Sequence, residues 1–362
     1  MTLLAFSALI IIFLEIFILG ANFQRPLPTD FTEITSIPTS GGDISKFVAN
    51  DGIFVLDDAA GRLSFYDFGG SQIFAHHHAI SRGLLFANAN FAAVSAHGGK
   101  VVNVYNSNGL VYSVITDAPI SRFALGNAGN AAIAARDANG GFDIIFYDAT
   151  GRPHHILHQA GEGILPVNMA FSPSDDVLVV SYVDVSGAVI NSILSFVSIS
   201  NQSGSFVGEI FAKNLYNPAQ IVGYLNFTNA NVLLAKSDAQ IFAINPTNGQ
   251  TLWNLPLATT AHTATFGDNS FAIACTSNGL KIYDISGQIS LNLYKQNITN
   301  INFLSDNILI QSNNYLYAYE LRTGRKLWQL QLPGQIEQAK FLTENNKIAI
   351  LTPSAINILR VE

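Results

Sequence analysis

At 362 residues the chain is long enough for two average domains or for one large β architecture, so length alone leaves the domain count open. Charged residues make up only 12%, about half the share usual in soluble domains; 25 Phe, 12 Tyr and many Asn, Ser, Thr and Gly stand in their place, a composition suited to strands and short turns. A balance of 18 basic against 25 acidic residues gives −7, which argues against a phosphate-neutralising surface and against nucleic acid as a partner.

In chain order, the first element is apolar from Leu3 to Phe23 apart from Ser7, Glu15 and Asn22, long enough to cross about 30 Å of hydrocarbon as a helix. Nothing basic precedes Leu3 and Leu19-Gly-Ala21 is a poor cleavage site, so residues 1–23 read as a retained transmembrane anchor rather than a signal peptide. Glu15 is costly in a lipid-facing helix. It shares one helical face with Ser7, Ala8 and Ile11, a narrow small-and-polar stripe that can seat a helix of another membrane subunit. Protonation or snorkelling of Glu15 is the alternative. Orientation rests on little, since Arg25 is the one basic residue close to the span. The low charge density of the remainder places it on the extracytoplasmic side, periplasmic or extracellular. Residues 24–29, with Pro26 and Pro28, form a linker.

From residue 30 onward one pattern recurs: an apolar strand closing on an aromatic or aliphatic residue, often followed by Asp, Asn or Glu and a turn. The instances are Phe65-Tyr-Asp67, Val104-Tyr-Asn106, Phe146-Tyr-Asp148, Phe196-Val-Ser198, Ala243-Ile-Asn245, Ile282-Tyr-Asp284, Ala318-Tyr-Glu320 and Ile358-Leu-Arg360. Their central residues lie 39, 42, 50, 47, 39, 36 and 40 positions apart, a period of about 40 that matches one four-stranded propeller blade. Within the third unit, runs at 121–125, 130–136, 142–148 and 153–158 are separated by Gly, Asn or Asp, the strand-and-turn signature. The final unit, 335–362, holds only three strands, and Asp30 to Pro38 is strand-like without a hairpin partner. The expectation is an all-β, eight-bladed β-propeller over 30–362, its ring closed by 30–38 joining the last blade and sealing an open edge. Seven blades is the alternative if one irregular unit within 165–255 is miscounted.

Two units are more specific. Residues 241–257 read IFAINPTNGQTLWNLPL and residues 316–332 read LYAYELRTGRKLWQLQL. Both resemble the repeat of pyrroloquinoline-quinone-type propellers, in which a strand, a Thr-x-Gly or Thr-Gly turn and a Trp follow one another. The chain's two tryptophans, Trp253 and Trp328, both occupy this place; the Gly suits the hairpin and the flat indole is expected to pack between blades. A looser resemblance to uncharacterised single-span bacterial propeller proteins rests on residues 171–187 and 190–193. The quinoprotein resemblance implies an axial cofactor, a calcium held by carboxylate and amide oxygens, a catalytic carboxylate and often adjacent cysteines. The chain has one cysteine, Cys275, read as a small buried hydrophobe on a strand, and no acidic residues that match that site.

Other chemistry is sparse. Asp57-Asp58 and Asp175-Asp176 fall in turns, where Asp is expected to bond locally. His76 and His78 can share a strand face, as can two of His154, His155 and His158, while His97 and His262 stand apart. A metal needs further ligands from another blade, so these read as polar strand and loop positions. Phosphate loops, nucleophile elbows and zinc-protease motifs do not occur. The expectation is a membrane-anchored, non-catalytic propeller without cofactor or metal, a scaffold or accessory subunit that contacts membrane subunits through its helix and a protein on one face. Ligand binding or quinoprotein-type redox chemistry is the alternative.

Overall fold

The computed structural model describes residues 30–362, except 39–45, 50–51, 58–60, 79, 81–82, 89, 97, 138, 160–162, 203–204, 217–219, 258–260, 268–269, 276–278, 294–296 and 343–345. The expected anchor with its stripe Ser7, Ala8, Ile11 and Glu15, and the linker, lie outside the described residues. Among the described residues every regular element is a strand, and no helix is long and apolar enough to cross a membrane.

The strands form eight antiparallel sheets of four, one per blade. Blades 1 to 7 run over 46–77, 84–115, 120–159, 164–216, 222–256, 261–293 and 298–331, each from consecutive strands. Blade 8 takes its inner three strands from Gln338–Phe341, Lys347–Leu351 and Ala355–Val361, and its outer strand from Phe31–Pro38 at the other end of the chain. That outer strand pairs antiparallel with its neighbour from Phe31↔Val361 to Pro38↔Ala355. The ring therefore has eight blades, and the wide spacing in the middle has a local cause. Blade 4 ends in a hairpin of two 12-residue strands, Asn191–Gln202 and Ser205–Tyr216. Its tip reaches back to blade 3, where Phe206 packs 4.7 Å from Phe146 and 5.1 Å from His154.

The eight recurring motifs of the sequence all fall on the third strand of a blade and close it in every blade but the fourth, where the strand runs on past Ser198 to Gln202. The Asp or Asn that follows often caps the next turn: the Asp148 carboxylate accepts from the Thr150 and Arg152 amides at 2.9 and 3.1 Å, a local Asx arrangement. Middle strands are covered by neighbours on both faces, so they read as continuous apolar runs rather than alternating ones. Ala131 to Ala135 is buried throughout. The core is accordingly divided into eight clusters, each drawn from two adjacent blades, including Ile37 of blade 8 with Ile53 of blade 1.

All eight outer strands carry a register shift at the same place. The extra residue is Ile34, Ile73, Val111, Ile156, Phe211, Leu252, Ser290 or Leu327. Such a bulge kinks an edge strand and re-aims the next side chain. In five blades that next residue, Thr35, Tyr112, Ala212, Trp253 or Leu291, lies against a turn glycine of the following blade: Gly70, Gly151, Gly249, Gly287 or Gly324. At Gly287, where φ is +81°, an added Cβ would sit 3.1 Å from the Trp253 ring. Trp253 stacks on Phe271 of blade 6 at 5.6 Å and donates its indole N–H to the Ile285 carbonyl at 2.9 Å. Trp328 is buried against blade 8, edge-on to Phe31 at 5.4 Å and to Phe341 at 6.3 Å.

Candidate functional site

Four strands per blade give the ring two unlike faces. One carries the first and third hairpin turns of the blades; the other carries the second turns and the connections between blades. The first strands of successive blades line the axis. In blades 3 to 7 these inner strands also bulge near their start, at Ser121, Val167, Gly223, His262 and Thr299. An extra residue leaves its backbone unpaired, and in blades 4 and 5 a side chain from the preceding blade takes up the freed carbonyl. Arg122 Nε donates to Val167 O at 2.6 Å, and Asn168 Nδ2 to Gly223 O at 2.9 Å. Farther round, Asn302 Oδ1 accepts from the Phe341 amide of blade 8 at 2.9 Å.

Where the inner strands of blades 2 to 5 run out onto the turn-bearing face they enclose an axial cavity of about 590 Å³. Phe86, Phe123, Phe171 and Phe227 give it aromatic walls, and Asn90, Asn127, Asn168, Asn226 and Asn229 give it polar groups. None of its described lining residues is ionisable. The Nδ2 groups of Asn127, Asn168 and Asn226 donate to Pro173, Gly223 and Phe227 carbonyls at 3.1, 2.9 and 3.1 Å. Each of these amides also carries a carbonyl oxygen, an acceptor by chemistry, so the lining mixes polar amide groups with aromatic rings.

Asp175 holds one edge of this cavity. It sits in the first turn of blade 4 with φ +59° and is only 6% exposed. Its carboxylate crosses to the first turn of blade 3, accepting from Asn127 N at 2.8 Å, Ala128 N at 2.9 Å and Asn130 Nδ2 at 3.0 Å. Burial pushes its carboxyl above the ordinary value and outweighs those bonds, which act the other way. Sequence reasoning placed Asp175 in a turn but gave it a local role. Asp176 has that role, bonding the Ser172 and Ser174 hydroxyls at 2.7 and 2.6 Å, while Asp175 joins two blades. Adjacent Asp residues give no sequence signal that only one of them leaves its own turn.

A second cavity on the same face, about 390 Å³ between blades 6 and 7, is lined by Ser270, Asp284, Asp306 and Arg322 among others. Asp284 is held below the ordinary carboxyl value: burial would raise it, but Ser286 and the Gln288 and Gly287 amides together outweigh that. The histidines do not gather. His76 Nδ1 meets the Tyr105 hydroxyl at 2.8 Å, whereas His78 lies beyond the strand end and accepts from Ile80 N at 3.2 Å. His154 meets Asp148 at 3.4 Å and accepts from Phe206 N at 3.3 Å. His158 pairs instead with Asp143 at 2.7 Å and Asp137 at 3.6 Å on the opposite face. Ligand atoms of these three lie within 4.8 Å of one another, a spacing a metal ion could use that sequence reasoning did not assemble. The hydrogen bond that His158 donates to Asp143 raises the histidine's pKa. The side chains of His155, His262, Cys275 and Asp57 lie outside the described residues, as do His97 and Asp58.

A quinone cofactor with its calcium does not fit the axial cavity, whose described lining holds no carboxylate. Amide groups and aromatic walls suit recognition of a neutral group.

Of two solved structures compared, the first gives the same architecture. BamB from Moraxella catarrhalis superposes with a TM-score of 0.57 at 12% identity, covering 91% of this chain and 100% of that one. The β-propeller domain of Cps50 (Swd1) from Myceliophteria thermophila reaches a TM-score of 0.47 at 12% identity over 78% of this chain and 99% of that one. At such identity the likeness is one of fold. No curated protein matches the sequence. A family model described as a family of unknown function (DUF5711) matches residues 32–361, and the chain belongs to that family.

Proposed function

We propose that this DUF5711 chain is a membrane-anchored, non-catalytic interaction propeller, an accessory or scaffold subunit of a membrane-associated assembly. The observation that carries the reading is the axial cavity: asparagine amides and phenylalanine walls, with no ionisable group among its described lining residues, a surface suited to recognition. The apolar segment from Leu3 to Phe23 supports the anchor, with Ser7, Ala8, Ile11 and Glu15 as its contact with other membrane subunits. The extracytoplasmic side suits the low charge of the remainder. Extraction in mild detergent followed by sizing tests the reading: a particle larger than the monomer is expected, and a clean monomer that retains nothing from its native membrane would refute it.

The Trp-bearing turns of blades 5 and 7 keep one rival in view, a quinoprotein-type enzyme. Added pyrroloquinoline quinone and calcium are expected to produce no dye reduction. Turnover dependent on both would replace the interaction reading.

A further inference from the structure

The described chain begins on the same face as the axial cavity. Phe31 pairs with Val361 at the edge of blade 8, and the Glu362 amide donates to Asp30 O at 3.1 Å. The outer strand of blade 8 then runs from this face toward the other. Residues 24–29 separate Asp30 from the apolar segment, and six residues span at most about 20 Å. A blade strand of six residues is itself about 20 Å long, so the opposite face lies farther from the membrane by roughly that distance. A tether this short, attached at this corner, brings the turn-bearing face toward the bilayer.

We propose that the cavity-bearing face is turned to the membrane and that its cavity receives an uncharged, extended segment of a membrane-embedded protein. The inference rests on the anchored reading above and names its docking site. Charge complementarity selects the occupant. The carboxylate at the cavity's edge, Asp175, is already engaged by Asn127, Ala128 and Asn130, and the described lining holds no other ionisable group, so a charged side chain entering would lose hydration with little to replace it. An extended peptide brings backbone amides that match the asparagine amides of the lining, and apolar side chains that match its phenylalanines. About 590 Å³ lies within the range of built ligand sites.

The test uses the full-length chain in its native membranes, with the photo-crosslinker p-benzoylphenylalanine placed at Asn90 or Asn229 on the cavity rim, or at Asn139 in a second turn on the opposite face. The expected result is a protein adduct at Asn90 and Asn229 whose cross-linked peptide maps to an uncharged extramembrane loop of a membrane-spanning protein. Asn139 should give little. Asn226→Asp, which puts a carboxylate into the cavity at nearly constant shape, should abolish the adduct, while Asn139→Asp should leave it intact. Adducts only from Asn139, adducts to lipid alone, adducts to charged segments, or an adduct indifferent to Asn226→Asp would each overturn the proposal. Flotation of the same membranes after alkaline carbonate extraction reads the anchor separately. If the protein fails to float, the anchored reading falls; if it floats and the cross-links come from Asn139, only the docking site falls.

Discussion

Removing the carboxylate of Asp175 should loosen the junction of blades 3 and 4 by an amount the geometry allows to be worked out. Asp175→Ala leaves three donors, Asn127 N, Ala128 N and Asn130 Nδ2, without their acceptor, at about 1 kcal/mol each where water reaches part of the turn. It also places alanine at φ +59°, which costs roughly 1 kcal/mol more than Asp in that conformation. Relief of the buried charge returns part of this, leaving a net loss of about 3 kcal/mol. Asp175→Asn behaves differently. With its amide nitrogen in place of Oδ1 it keeps the bonds to Ala128 and Asn130 and loses only that to Asn127, a cost of about 1 kcal/mol. Urea unfolding of the full-length protein in detergent, followed by circular dichroism, measures both. The pH dependence supplies a second readout. A carboxyl whose native value is raised above 3.8 binds its proton more tightly in the folded state. Stability from this group should therefore rise as pH falls through that native value, and the rise should vanish in Asp175→Asn. If Asp175→Ala costs no more than Asp175→Asn, the junction does not depend on this carboxylate and the reasoning fails.

Three further outcomes are expected. Gly287→Ala and Gly98→Ala share a backbone penalty, with φ +81° and +72°, but only the former brings a Cβ to 3.1 Å from a ring; thermal melts should show Gly98→Ala losing about 1 kcal/mol and Gly287→Ala roughly twice that. Trp253→Phe should cost about 1 kcal/mol through the Ile285 carbonyl it leaves without its indole donor, and a neutral denaturation midpoint would rule out that bond as a contributor. Asp148 is brought to about 2: burial would raise it, but bonds from Thr150, Arg152 and His154 prevail. Its stabilisation is complete above about pH 4 and is lost as pH falls toward 2, about 1 kcal/mol after screening at this turn, and acid titration of Asp148→Asn should lack that increment.

The ring was legible in the sequence because every third strand but that of blade 4 ends on the same punctuation, such as Phe146-Tyr-Asp148, and because the stranded segment 30–38 had no local partner. The long hairpin of blade 4 showed itself only as a stretched interval, since nothing in Ser198 to Ser205 says that pairing continues past the usual turn. The bulges were not legible. A bulge changes which way Trp253 or Tyr112 points without changing residue type, and strands buried on both faces, such as Ala131 to Ala135, have no alternation for an extra residue to interrupt. The axial cavity was hidden for a related reason. Asn127, Asn168, Asn226 and Asn229 come from three blades, and in a chain rich in Asn no one of them stands out. The histidine runs were read as polar strand and loop positions, and His76 and His78, neighbours in sequence, do bond to different elements.

The blade that closes the ring also sets an order of events. Thr32 Oγ1 donates to Glu362 at 2.6 Å across 330 residues of chain, so the strand made first waits for the one made last. At about 5–20 residues per second of synthesis, Phe31–Pro38 emerges roughly 15–65 seconds before Ala355–Val361 exists to receive it. Joining those ends through a flexible chain of that length would cost on the order of 5 kcal/mol, yet by then seven packed blades carry the two edges to each other. The first strand is thus a clasp that can fasten only on a complete ring, and a chain cut short before residue 355 would leave it open beside the segment that precedes it.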